Sequence, residues 1–167
     1  MGLFSRGPEL PTEVRTTVRG RPLAAACAED GTWLVGTRDA LFVVGPSPVT
    51  LPWEQVQHAD WDQDTSTLTV ERVEEYGAPV TRWSFVLPEP GGLVPLLRER
   101  VSASVLLQRR VPIEKKRGLT VIARRPPAGG AVTWAYQLDP GIDPADPLVA
   151  EAAEEALRDA QESLGLL

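Results

Sequence analysis

His58 is the only histidine in this 167-residue chain, and Asp60 stands two positions after it. In an extended segment that spacing puts both side chains on one face, where imidazole and carboxylate form the start of an acid–base pair. Catalysis would also need a nucleophile or a polarising group, and no motif supplies one. The chain has no G-x-S-x-G turn, and neither lysine, Lys115 or Lys116, follows a glycine-rich loop. Cys27, the lone cysteine, lies in Leu23-Ala24-Ala25-Ala26-Cys27-Ala28. That apolar setting suppresses thiolate formation and reads as a buried structural thiol. A single histidine in a strand-like segment is more often structural or exposed than catalytic, so no catalytic residue is assigned and the chain is read as not an enzyme.

Asp60, Asp62, Asp64 and Glu71 have the acidic spacing of a calcium loop. Calcium needs oxygens converging through a sharp turn, and Thr65 stands where glycine is required. Thr67, Thr69, Val70 and Val73 favour a strand over the helix that should follow, so the stretch reads as a solvated hairpin turn. One histidine and one cysteine exclude a multi-histidine metal centre or a cysteine-rich zinc site within one chain. No metal and no cofactor is expected.

The charge is unevenly spread. The chain carries −6 overall, which argues against general affinity for nucleic acid. Residues 98–125 nevertheless hold nine basic side chains (Arg98, Arg100, Arg109, Arg110, Lys115, Lys116, Arg117, Arg124, Arg125) against Glu99 and Glu114, a net +7. Residues 139–167 hold eight acids against Arg158, a net −7. Three readings of the basic segment stand: a solvated face, a surface on which the acidic last helix docks, or a site for an anionic partner. For the third, the residues are Arg109, Arg110, Lys115, Lys116 and Arg117. No aromatic residue lies beside Lys115-Lys116-Arg117 to stack a base, which weakens specific nucleic-acid recognition.

The elements that must position these residues are mostly short strands. Residues 1–20 mix Gly, Pro, Thr and charge without a period and read as a flexible arm, joining a sheet near 14–18. Strand patterns follow at 23–28, 32–36, 40–44, 49–53, 56–59, 67–73 and 80–87, separated by turn chemistry such as Glu29-Asp30-Gly31 and Gly45-Pro46-Ser47-Pro48. Leu93, Leu96, Leu97 and Val101 form one stripe, predicting a helix over about 92–103. Strands at 104–113, 119–125 and 131–138 come next. Asp146 as cap and Pro147 at the first helical position then open a helix over 146–164, with Val149, Ala153, Ala156, Leu157, Ala160 and Leu164 on its apolar stripe. The fold class is therefore α+β and mostly antiparallel.

Residues 31–44, with Leu51-Pro52-Trp53-Glu54-Gln55-Val56 and the stretch from Asp60-Trp61-Asp62 to Leu68-Thr69-Val70, resemble successive strands of bacterial pleckstrin-homology-like domains. The resemblance covers roughly half the chain and implies a barrel or bent sheet over 21–104, capped by helix 92–103, with a β-β-β-α extension over 105–167. The extension departs from that family and is expected to pack as one body with the first unit. In eukaryotic relatives, basic residues in the first hairpin loop bind lipid headgroups. Here the matching loop is Glu29-Asp30-Gly31, which would repel phosphate. The arginine-rich, lysine-poor usage is similar to that of actinobacterial proteins.

No apolar run reaches the roughly 18–20 residues that cross a bilayer. Residues 1–6 lack a secretory pattern, and Arg6 breaks the myristoylation pattern, so a cytoplasmic location is expected. The functional expectation is a non-catalytic module that binds a protein through a sheet edge or the groove beside a helix, with Trp53 and Trp61 as anchors if exposed. The alternative is an anion-binding module, for a membrane surface or nucleic acid, using the basic segment 98–125.

Overall fold

A computed structural model describes residues 8–167. Alternating apolar residues separated by turns fold into ten strands and three helices, an α+β arrangement of three antiparallel sheets, none closed into a barrel among the described residues. The first sheet runs in sequence order through β1 (Ala24–Cys27), β2 (Trp33–Gly36), β3 (Ala40–Val44) and β4 (Val49–Pro52). The second is β5 (Val56–Asp62), β6 (Thr67–Arg72) and β7 (Arg82–Val86). Their registers put Leu41 opposite Leu51 and Leu68 opposite Phe85, so these side chains share one interior face.

Helix α2 (Leu93–Ala103) seals the space between these sheets. Leu34, Leu41, Leu51, Trp53, Val56, Leu68, Val70, Leu87, Leu93 and Leu97 are its dry interior, each at most 1% exposed. Gly36 permits the close approach, because a Cβ there would meet the Leu96 side chain at 2.5 Å. Trp53 is fully buried, and its indole N–H donates to the Thr37 carbonyl at 3.0 Å, satisfying the one polar atom the ring brings inside.

The third sheet has the order β10-β9-β8, from β8 (Val105–Glu114), β9 (Arg117–Arg124) and β10 (Thr133–Leu138). One of its faces packs Leu119 and Val121 against Val149, Ala153, Ala156 and Ala160 of α3 (Pro147–Ser163). Asp146 caps α3 by accepting from the Leu148 N–H, and Pro147 opens it, as the sequence pattern requires. Small alanines let the helix lie close to the sheet.

The segment expected to be an arm with a strand near 14–18 is different. Thr12–Thr17 form a short helix, α1, whose Val14, together with Val18, covers Val35, Ala40 and Phe42 on the outer face of the first sheet. Thr16 and Thr17 hydroxyls donate back to the Glu13 carbonyl, and the two valines, four positions apart, share one side. Residues 1–7 of the expected arm lie outside the described residues. No helix among the described residues is long and apolar enough to cross a membrane.

Candidate functional site

The acidic run ends in a turn. Asp62 sits at the end of β5, and its carboxylate accepts from the Asp64 and Thr65 N–H groups. Hydrogen bonds from Thr65, then from Asp64, hold its pKa below the usual aspartate value. Among the described residues no group of three or more His, Cys, Asp or Glu is arranged to hold a metal ion. Cys27 is half-buried rather than buried, because it lies on the outer side of its edge strand. Trp53 is interior and Trp61 is partly buried against the same core, so neither tryptophan is an exposed anchor.

The basic hairpin between β8 and β9 is largely answered by acids. Arg109 reaches Asp159 of α3 at 3.1 Å, Arg110 reaches Asp139 at 2.5 Å and Arg117 reaches Glu114 at 2.7 Å. Asp139 also accepts from the Gly118 N–H at 2.9 Å. The Arg110 hydrogen bond, then that of Gly118, holds the Asp139 carboxyl below its ordinary range. Lys115 and Lys116 are exposed at the turn and have no ion pair among the described residues.

A cleft opens where β5, an edge strand, faces the third sheet. Three contacts span it. The Gln57 amide donates to the Tyr136 carbonyl at 3.3 Å, the Arg124 guanidinium donates to the Gln57 carbonyl at 3.1 Å, and the Tyr76 hydroxyl donates to the Pro144 carbonyl at 3.0 Å. Tyr76 and Tyr136 meet edge to face with centroids 5.2 Å apart. Burial raises both phenols above their usual acidity range.

Gln57, His58 and Gln137 line two cavities in this cleft. The larger, about 550 Å³, takes its walls from Tyr76, Val80, Tyr136 and Ile142 with Glu71, Glu74, Glu75 and Asp139. Arg72 is its one cation besides the imidazole, and it is paired with Glu74 at 3.0 Å. The smaller, about 510 Å³, is lined by Arg98, Val101 and Ser102 of α2, Gln108 of β8, and Ile122 and Arg124 of β9. No Asp or Glu lines it.

Arg124 is the centre of this second cavity. The residue is 3% exposed, and its donors go only to neutral oxygens: Val101 carbonyl at 3.1 Å, Ser104 hydroxyl at 2.9 Å and Gln57 carbonyl at 3.1 Å. Its Nε has no partner among the described residues. Burial alone lowers its basicity, with no carboxylate pulling the other way. Taking a lone guanidinium out of water costs several kcal/mol. Hydrogen bonds to a charged donor return about 1.5–3 kcal/mol each. Val101 also lies in the last turn of α2, where the helix dipole favours a cation. The fold therefore tolerates the charge while leaving it without a counter-ion.

His58 is exposed beside this cavity and has no ion pair among the described residues. Its neighbour across the ladder, Glu71, is engaged by Arg82 at 2.5 Å. The sequence argument counted Arg98 and Arg124 in the basic segment without singling them out. One signal was present: in β9 both Val121 and Ile122 are apolar, marking a strand covered on both faces, so an arginine ending it must be enclosed. Comparison with protein-family models, curated proteins and solved structures finds no match for this chain.

Proposed function

We propose that the chain is a non-catalytic binding module that takes a segment of a partner protein into the cleft between β5 and the third sheet. The observation carrying this reading is the cavity of about 550 Å³ lying along the edge strand β5. Its volume falls within the roughly 300–1,000 Å³ of ligand sites, and two tyrosines in its wall offer apolar faces with polar tips. An edge strand has unpaired backbone groups to offer an extended segment. Glu75, the one lining carboxylate with no ion pair among the described residues, favours a segment carrying a basic side chain.

The pleckstrin-homology-like assignment of residues 21–104 belongs to the same proposal. A four-stranded sheet, a three-stranded sheet and a closing helix in that order support it. A cytoplasmic site of action is likewise part of the proposal, supported by a single cysteine that needs no oxidising compartment.

The test is a photo-crosslinking side chain carried at position Val80, which lines the larger cavity and is 59% exposed. In its native host the protein should give one adduct of defined mass from that position. The same group at Asp64, in the β5–β6 turn, should give none. Equal labelling from the two positions, or none from either, overturns the reading.

A further inference from the structure

We propose that the smaller cavity, on the α2 side of Gln57 and His58, binds the phosphate group of a small molecule. The inference rests on this cleft being the binding surface, but uses different residues from those offered to a protein segment. Its first support is charge. Arg98 and Arg124 line the cavity, and no carboxylate does, in a chain whose net charge is −6. Elsewhere in the molecule Arg72, Arg82, Arg109, Arg110 and Arg117 each face an acid. The enclosed arginine is the one left with neutral partners only.

Its second support is the shape of the hydrogen-bonding set. Arg124 lines the cavity and is held by three fixed acceptors, so its charge stays beside the cavity without the side chain having to move. With no carboxylate in the lining, nothing in the cavity wall opposes that charge. Arg98 is exposed at the rim, with no ion pair among the described residues, and is free to close on an anion from the open side. Ser102 and Gln108 add neutral donors from α2 and β8. Donors arriving from several directions suit a tetrahedral oxyanion of charge near −2.

The site differs in place and composition from the first hairpin loop, Glu29-Asp30-Gly31, which is acidic. It also differs from the Lys115–Arg117 turn, whose arginine is paired.

The experiment measures thermal unfolding and isothermal binding of the whole chain with inorganic phosphate and with glycerol phosphate, against sodium chloride at matched ionic strength. Either phosphate should raise the unfolding midpoint by about 2–4 °C at saturating concentration, and chloride should not. The tighter of the two probes names the source, free phosphate or a monoester. Arg124 variants risk misfolding, so the decisive substitution is the exposed Arg98→Gln, expected to weaken binding by about tenfold or more. The double variant Lys115→Ala, Lys116→Ala should bind as the parent does. No shift beyond that of chloride, full retention in Arg98→Gln, or loss in the double lysine variant overturns the inference. If phosphate fails while the Val80 adduct forms, only this inference falls.

Discussion

Residues 98–125 contain nine of the chain's basic side chains, and the fold sends them to two regions that meet charge differently. At the β8–β9 end, Arg109, Arg110 and Arg117 find Asp159, Asp139 and Glu114. Two of those acids come from the acidic stretch 139–167, so the oppositely charged stretches answer each other across the third sheet. On the cleft side, Arg124 finds a helix end, a hydroxyl and a backbone carbonyl. Density of charge along a sequence is thus a poor guide to field in space. Exposed pairs are screened and contribute little. A single enclosed cation, with no acid nearby, dominates the potential of its cavity.

The sharpest way to break this contrast is at the hairpin end. Gly118 pairs with Pro112 near the start of β9, and a Cβ there would run into the Val111 carbonyl. Its N–H also donates to Asp139, the acid that answers Arg110. Gly118→Ala is expected to destabilise the protein by about 3 kcal/mol or more, measured by urea unfolding. A loss below about 1 kcal/mol would mean that the ladder yields there, and that the ion pairs are held by something other than β8–β9 register.

Arg124→Met tests the other region. Methionine keeps the unbranched stem and removes every donor, leaving the Val101 and Gln57 carbonyls without their partner. We expect a loss of about 2–3 kcal/mol in the same measurement. Lysine should not restore it, since one ammonium cannot reach three acceptors in the geometry of a planar fork. A neutral result for methionine would show that the enclosed charge is not what joins α2 to β5 and β9.

These regions also mark where sequence reading succeeds and where it stops. The strands of the first two sheets were legible because side chains such as Leu68 and Val70 alternate with polar neighbours over a turn-bounded run. The start of α3 was legible from Asp146-Pro147, whose cap geometry is local. Helix α1 was not: six residues with three threonines carry little helical propensity, and its stability comes from Val14 docking on a sheet far along the chain. The cleft was illegible for the same reason. Gln57 meets Tyr136 across 79 positions and Arg124 across 67, and no window of local pattern reports a contact of that span. Composition singled out Lys115-Lys116-Arg117, because adjacency is visible in sequence whereas the absence of a neighbouring acid is not.

A smaller effect follows from Asp139. Arg110, then the Gly118 N–H, lower its folded pKa below the ordinary 3.8. A lowered folded value means the ionised group stabilises the fold at pH above that ordinary value, and the contribution disappears as pH falls through the folded one. Asp139→Asn should therefore flatten the acid limb of the stability curve below about pH 4, with Asp30, Asp62 and Glu74 supplying the slope that remains. An unchanged limb would separate the Arg110 pair from acid stability altogether.

The smallest effect is also the most discriminating between the regions. Lys115, first of the two turn residues between β8 and β9, has φ of 52°, a left-handed conformation that side chains resist and glycine adopts freely. Lys115→Gly relieves that strain and gives part of it back through the greater freedom of the unfolded chain, a net gain of about 0.5 kcal/mol or about 1–2 °C in midpoint. The same substitution removes a full positive charge from the most basic-looking point of the sequence. If the hairpin's charge is answered locally while the cleft's is not, the variant gains that small stability and its phosphate affinity stays at the parent value. A fall in affinity would mean that the turn's field reaches the ligand, and the two regions would then be one electrostatic unit.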